Sequence, residues 1–178
     1  NYLEYLVAEI YCGNSDWPGK NLRLWRTHND FDPSAPPGHD GRWRWMMFDT
    51  EYGFGAYLQP NATWNTLAWA TATDGGKFNP PSATLLLRRL LRNDSFRGAF
   101  INTFADQLNT AFSTSRATAT LDSLAGLIEP EIAEHVARWG LPESDIHWEA
   151  HVDAMRRFVE NRRADVLGHL SEHFGLPG

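Results

Sequence analysis

The sequence predicts a mainly α fold with a small β-hairpin, an α+β arrangement in one domain. Three observations carry that expectation. Apolar residues recur at helical spacing at the start of the chain and again through most of it after residue 80. Between these regions lie two short strand-like runs, 22–26 and 42–48, separated by a stretch rich in Pro, Gly and Asp. The length, 178 residues, suits one hydrophobic core.

Taken in order, residues 2–12 place Leu3, Leu6, Val7 and Ile10 on one helical stripe, and Gly13-Asn14 supplies a left-handed stop. A polar loop, 14–21, follows. The first strand is 22–26 and the second 42–48, whose early part alternates and whose end is wholly apolar, with 27–41 as a long hairpin connection. Residues 49–80 show no clear period, and an irregular stretch of that length is often functional. Pro81-Ser82 opens a helix to Leu91. Asp94 is expected to cap the next, with Phe96, Phe100, Phe104, Leu108 and Phe112 on one face. A third covers 119–138, kinked or restarted at Pro130, and a last one 146–173.

Composition narrows the function classes. Apolar residues make up 42% and charged residues 21%, the balance of a soluble globular chain. Net charge is −6, which argues against a nucleic-acid partner. No apolar run approaches the ~20 residues that span a bilayer, so no membrane span is expected. The chain opens on Asn1 inside an apolar helical stripe with no signal peptide ahead of it, which suggests a start within a larger protein. The lone Cys12 is expected to be a small core residue. Arg156, Arg157, Arg162 and Arg163 are expected to form a solvated helix face.

The segment 14–21 carries the first chemical signal. Asp16 is followed five residues later by Asn21, the spacing of a protein-kinase catalytic loop. Phosphoryl transfer needs an oriented hydroxyl nucleophile and cations on the phosphates. A short rigid loop can aim one carboxylate at the hydroxyl and one amide oxygen at the metal. The same residues are also turn formers, so the spacing alone is weak. The second signal is the apolar strand ending at Asp49, followed by Glu51, Gly53 and Gly55. Kinases deliver their metal-binding Asp in this way, ahead of a glycine-containing loop. Asp49 and Glu51 together offer hard oxygen ligands for a divalent cation.

These residues resemble the CotH kinase family, named for a bacterial spore-coat protein. The resemblance rests on Asn14, Asp16-Trp17-Pro18, Asn21, Leu24-Trp25-Arg26, Trp43-Arg44-Trp45 leading to Asp49, and Phe96-Arg97 with Phe100. It extends to Arg138-Trp139, Trp148-Glu149 and Phe158 with Arg162. It implies the C-terminal lobe of an atypical protein-kinase-like fold, using ATP and Mg²⁺ or Mn²⁺ to phosphorylate Ser or Thr on a protein substrate. By position, it implies Asp16 as the catalytic-loop carboxylate and Asn21 and Asp49 as cofactor and metal ligands, while Glu51 is expected as a further metal ligand from its carboxylate beside Asp49. It also suggests a spore, cell-surface or extracytoplasmic setting. Glu51 stands where the family commonly has Asp. No Gly-rich loop and no strand-borne Lys is found, since Lys20 lies in the loop and Lys77 in an irregular stretch. An N-terminal nucleotide-clasping lobe of the same parent chain is therefore expected upstream, and the isolated fragment is expected to be inactive. Trp17, Trp25, Phe54 and Tyr57 are the apolar residues expected to border the cleft it covers.

The rival reading is a catalytically inactive, pseudokinase-like surface or coat module that binds a partner. A metal-dependent hydrolase built on Asp49 and Glu51 lacks a further ligand cluster. His147 and His151, four apart with Glu149 between, do not match a zinc-protease helix and are expected to be ordinary helix histidines. Asp30, Asp32 and Asp40 are expected to be solvated turn residues, and the tryptophans to serve packing.

Overall fold

A computed structural model describes residues 1–55 and 63–177. Helix α1, Tyr2–Cys12, lies at the centre. Tyr5, Leu6, Val7, Glu9, Ile10, Tyr11 and Cys12 are all buried, so this helix is enclosed on nearly every side rather than along one stripe. Gly13 ends it with φ 72°, as the sequence predicts. After the hairpin come α2 (Thr66–Ala70), α3 (Pro81–Leu90), α4 (Asp94–Asn109), α5 (Thr114–Ile128), α6 (Ile132–Trp139) and α7 (Asp145–Phe174).

One core gathers around α1. Phe100, Phe104 and Leu108 of α4, Leu67 and Ala70 of α2, Leu87 of α3, and Val166 and Leu170 of α7 pack with Tyr5, Leu6, Val7 and Ile10. Of the aromatic stripe expected on α4, Phe96 is only partly buried and Phe112 lies beyond the helix end. The cap is Asn93, not Asp94: its side chain accepts the Phe96 N–H, and Asp94 is the first helical residue. Pro130 splits the expected 119–138 helix with a 3₁₀ turn at Glu129–Glu131, because it supplies no N–H to the preceding turn. The irregular region also contains a second 3₁₀ turn, Gly76–Phe78.

The strands are shorter than expected, β1 Arg23–Trp25 and β2 Arg44–Met46. They are antiparallel, with Arg23 opposite Met46 and Leu24 opposite Trp45. A two-stranded ribbon is marginal alone. This one is tied to the start of α1, where Asn1 Oδ1 accepts the Trp45 N–H at 2.7 Å and the Tyr2 and Trp45 rings lie 4.2 Å apart. In the connecting loop Asp40 is buried, not solvated. It pairs with Arg44 Nη2 at 2.7 Å and Arg42 Nε at 3.0 Å. Asp32 accepts the Ser34 backbone N–H and hydroxyl and is exposed, as a turn residue should be. Among the described residues, no helix is long and apolar enough to cross a membrane.

Candidate active site

The loop 14–21 is held from three sides. Asn14, just past α1, is fully buried. Its Nδ2 donates to Glu9 Oε2 at 3.0 Å, and its Oδ1 accepts the Asp16 N–H at 3.2 Å. The Asp16 carbonyl accepts the Lys20 N–H at 2.9 Å, closing the loop on itself. Trp69 Nε1 donates to the Trp17 carbonyl at 2.9 Å. Gly19 lies flat against the segment that follows α2: a Cβ there would sit 1.7 Å from the Phe78 carbonyl oxygen, so only glycine fits.

The Asp16 carboxylate is 24% exposed, with the Lys20 ammonium 3.7 Å away. Asn21 Nδ2 donates to the backbone carbonyl of Asp49 at 3.0 Å, joining the loop to the segment just after β2 across 28 residues. With that nitrogen engaged, Oδ1 is the Asn21 atom available to a cation. Asn21 and Asp49 both have left-handed backbones, φ 57° and 55°, and Phe54 has φ 53°. Asn and Asp tolerate this region, whereas a Phe there is an outlier. Such residues persist where the surroundings over-determine them, and they gather at functional sites. Phe54 is fixed by its N–H bond to the Cys12 carbonyl at 2.6 Å and by Phe158, ring to ring at 5.5 Å.

Glu51 completes the cluster. Its carboxyl is pushed above the usual range chiefly by a hydrogen bond with the Asp49 side chain, with the charges of Asp49 and Asp16 adding to the effect. Three carboxylates therefore share one field, and a divalent cation would relieve their repulsion. The donors available, Asn21 Oδ1 and the Asp49 and Glu51 oxygens, are all hard. Among the described residues no three His, Cys, Asp or Glu side chains are grouped so that together they could hold a metal ion. A magnesium ion held jointly with nucleotide phosphates takes only one or two carboxylates from the protein, so the donor set fits that use.

A family model described as CotH kinase protein matches residues 1–166 of the 178. The chain belongs to the CotH kinase family. No curated protein matches it, and no solved structure does. Membership carries a kinase-like role and accords with the mainly helical fold and its antiparallel hairpin.

The structure also departs from the sequence reading of this CotH-family chain. Trp17, expected to border the cleft, is buried at 2% exposure, where its ring packs edge-on to Tyr5. Trp25 is exposed at 42%, Phe54 is half-buried, and Tyr57 lies outside the described residues. Arg162 does not belong to a solvated face. It is wholly buried, and from α7 it donates to the Tyr11 carbonyl at 2.8 Å, the Ile10 carbonyl at 2.5 Å, the Trp64 carbonyl at 2.8 Å and Thr66 Oγ1 at 3.2 Å. It thereby caps the C-terminal end of α1, from which the loop departs. Burial lowers its guanidinium to about 10. Arg163 donates to the Leu108 carbonyl and Asn109 Oδ1, and Arg156 pairs with Asp122 and Asp153. The sequence reading singled out neither Glu9 nor the roles of Asn14 and Gly19. The available signal was an acid set among the buried apolar positions of α1, five residues ahead of Asn14.

Proposed function

We propose that this chain is the catalytic-loop lobe of an ATP- and divalent-metal-dependent protein kinase acting on Ser or Thr hydroxyls. The observation that carries the reading is the Asn21–Asp49 bond, which places two prospective metal ligands side by side although they are distant in sequence. In this reading Asp16 accepts the proton of the acceptor hydroxyl and orients it. Asn21 and Asp49 hold the cation, Mg²⁺ or Mn²⁺, that neutralises the nucleotide phosphates, with Glu51 as a further ligand. Lys20, beside Asp16, supplies positive charge where the transferred group would pass. The reading requires a second lobe to clasp the nucleotide. In its support, Leu22, Leu24, Trp25, Met46, Met47 and Phe48 are each 40–46% exposed along the hairpin, the apolar surface such a lobe would cover.

Glu51, standing where the family commonly has Asp, leaves room for a second reading, a pseudokinase-like surface or coat module. Single-turnover phosphate transfer with Mg²⁺ or Mn²⁺, by the full chain carrying these residues, separates the two. Transfer that disappears in Asp49→Asn supports the kinase. No transfer by the unaltered chain, with partner binding intact in every variant, supports the module.

A further inference from the structure

Glu9 is an unexpected residue at its position. It has no exposure, lies on a helix whose buried neighbours are Tyr5, Leu6, Val7, Ile10, Tyr11 and Cys12, and makes no ion pair among the described residues. An apolar side chain would fill the site without the cost of desolvating a carboxylate. What Glu9 does instead is local. Its Oε2 accepts Asn14 Nδ2 at 3.0 Å, which fixes the amide so that Asn14 Oδ1 faces the Asp16 N–H. One turn earlier on the same face, the Tyr5 phenol interacts with both Glu9 and Trp17, its ring edge-on to the indole at 6.1 Å. None of the Tyr5 hydroxyl, Glu9 Oε1 and Trp17 Nε1 makes a hydrogen bond of standard geometry, so this second contact is looser than the first. Tyr5 and Glu9 thus touch the residues on either side of Asp16, namely Asn14 and Trp17.

We propose that Glu9 is a positioning residue of the catalytic loop: acting through the Asn14 amide, it sets the backbone at Asp16 and hence the direction of the Asp16 carboxylate. This rests on the reading of Asp16 as the group that orients the acceptor hydroxyl. It adds a residue, remote from the cleft and buried in the core, on which that orientation depends. The helix gives up stability at Glu9 in return for a loop with one conformation, a common trade at functional sites.

The test uses Glu9→Leu, which removes the acceptor but suits the apolar surroundings, and Glu9→Gln, which keeps an acceptor oxygen. Both are made in the parent protein, which carries residues 1–178 together with its nucleotide-clasping lobe in the proposed reading. Three quantities are read: amide hydrogen exchange at Asp16, thermal stability, and single-turnover transfer with its dependence on ATP concentration. In Glu9→Leu the Asp16 amide should exchange roughly tenfold faster, the size of one lost hydrogen bond. Any loss of stability should be limited to the cost of leaving the buried Asn14 Nδ2 without its acceptor, with the helices still folded. Transfer should slow by about 10²-fold, as for an active-site group displaced by an ångström, with the ATP requirement unchanged. Glu9→Gln should restore both exchange and transfer most of the way. The inference is overturned if Glu9→Leu leaves Asp16 exchange at the parental rate. It is equally overturned if Glu9→Leu is destabilised throughout and Glu9→Gln rescues nothing, because Glu9 would then be a packing residue. If the unaltered chain transfers no phosphate, the kinase reading fails by itself, and the exchange measurement still decides whether Glu9 orders the loop.

Discussion

In the proposed mechanism Asp16, Asn21, Asp49 and Glu51 act together yet are bonded differently, Asn21 to the Asp49 carbonyl and Glu51 beside the Asp49 side chain, and the differences give separate forecasts. Asp16→Asn keeps the loop shape and should leave metal–nucleotide binding nearly intact. It should slow transfer by about 10²–10⁴-fold, the usual cost of losing a general base. Asp49→Asn removes a charge from the cation and should abolish measurable transfer. Glu51→Gln should match Asp49→Asn if Glu51 ligates the metal directly, and be milder if it acts through Asp49. Nucleotide titration beside single-turnover transfer checks all three, and parental rates in both Asp variants would end the mechanism. Glu9 gives a forecast of another kind. Burial pushes its carboxyl up from 4.5 to about 7, against the lowering effect of its contacts with Asn14 and Tyr5. The folded chain therefore holds that proton more tightly than the unfolded chain. On this account stability is greatest below the unfolded value and declines as pH rises through about 7. The decline is on the order of 3 kcal/mol. Denaturant unfolding from pH 5 to 8 should show the parent losing stability relative to Glu9→Gln, and parallel curves would contradict it.

At the scale of elements, the site is held by helices that barely touch it. Helix α7 contributes Arg162 to the end of α1, and the segment after α2 contributes the Phe78 carbonyl against which Gly19 lies. Arg162→Met would fill much of the same space while leaving the Ile10, Tyr11 and Trp64 carbonyls without this donor. We expect a loss of roughly 3 kcal/mol or more, since each unsatisfied buried group costs about 1–3 kcal/mol. A melting experiment placing Arg162→Met within about 1 kcal/mol of the parent, the range of surface changes, would rule out this role. Gly19→Ala should disturb the loop without unfolding the helices, because the clash is with backbone that must move. Increased exchange confined to 14–21 and 75–79 is the expected signature, and unchanged exchange there would show that the contact can yield.

For the whole molecule, the hairpin is the part least explained by its own packing. Its strands are three residues each, and their apolar side chains remain largely exposed. If a clasping lobe normally covers this surface, residues 1–178 alone should bind ATP weakly and transfer no phosphate. They should also bind a hydrophobic dye. Leu24→Ser together with Met47→Ser should remove the dye signal without lowering the melting temperature, since both side chains lie outside the core. Robust turnover by the isolated chain would show that no second lobe is needed.

The sequence by itself determined most elements and their order: helix α1 and its glycine stop, the Asp16 and Asn21 loop, a hairpin whose second strand stops at Met46, short of Asp49, and a helical remainder broken at Pro130, while the short α2 inside 49–80 left no legible period. These are local properties, set by side-chain period, by turn residues and by the missing N–H of proline, and they can be read along the chain. Three matters were decided only by tertiary structure. Asn93 took the cap expected of Asp94, because the helix began one residue earlier than the acidic residue suggested. Trp17 turned into the core while Trp25 stayed outside, a choice made by whether the neighbouring surface was available and not by the residue type. Arg162 was read as solvated because arginine usually is. Its burial depends on acceptors that include Ile10, Tyr11, Trp64 and Thr66, from 96 to 152 residues away, converging on one guanidinium. No window of sequence contains that convergence. A buried charge becomes tolerable only when distant backbone carbonyls are brought around it, and folding alone decides where those carbonyls lie.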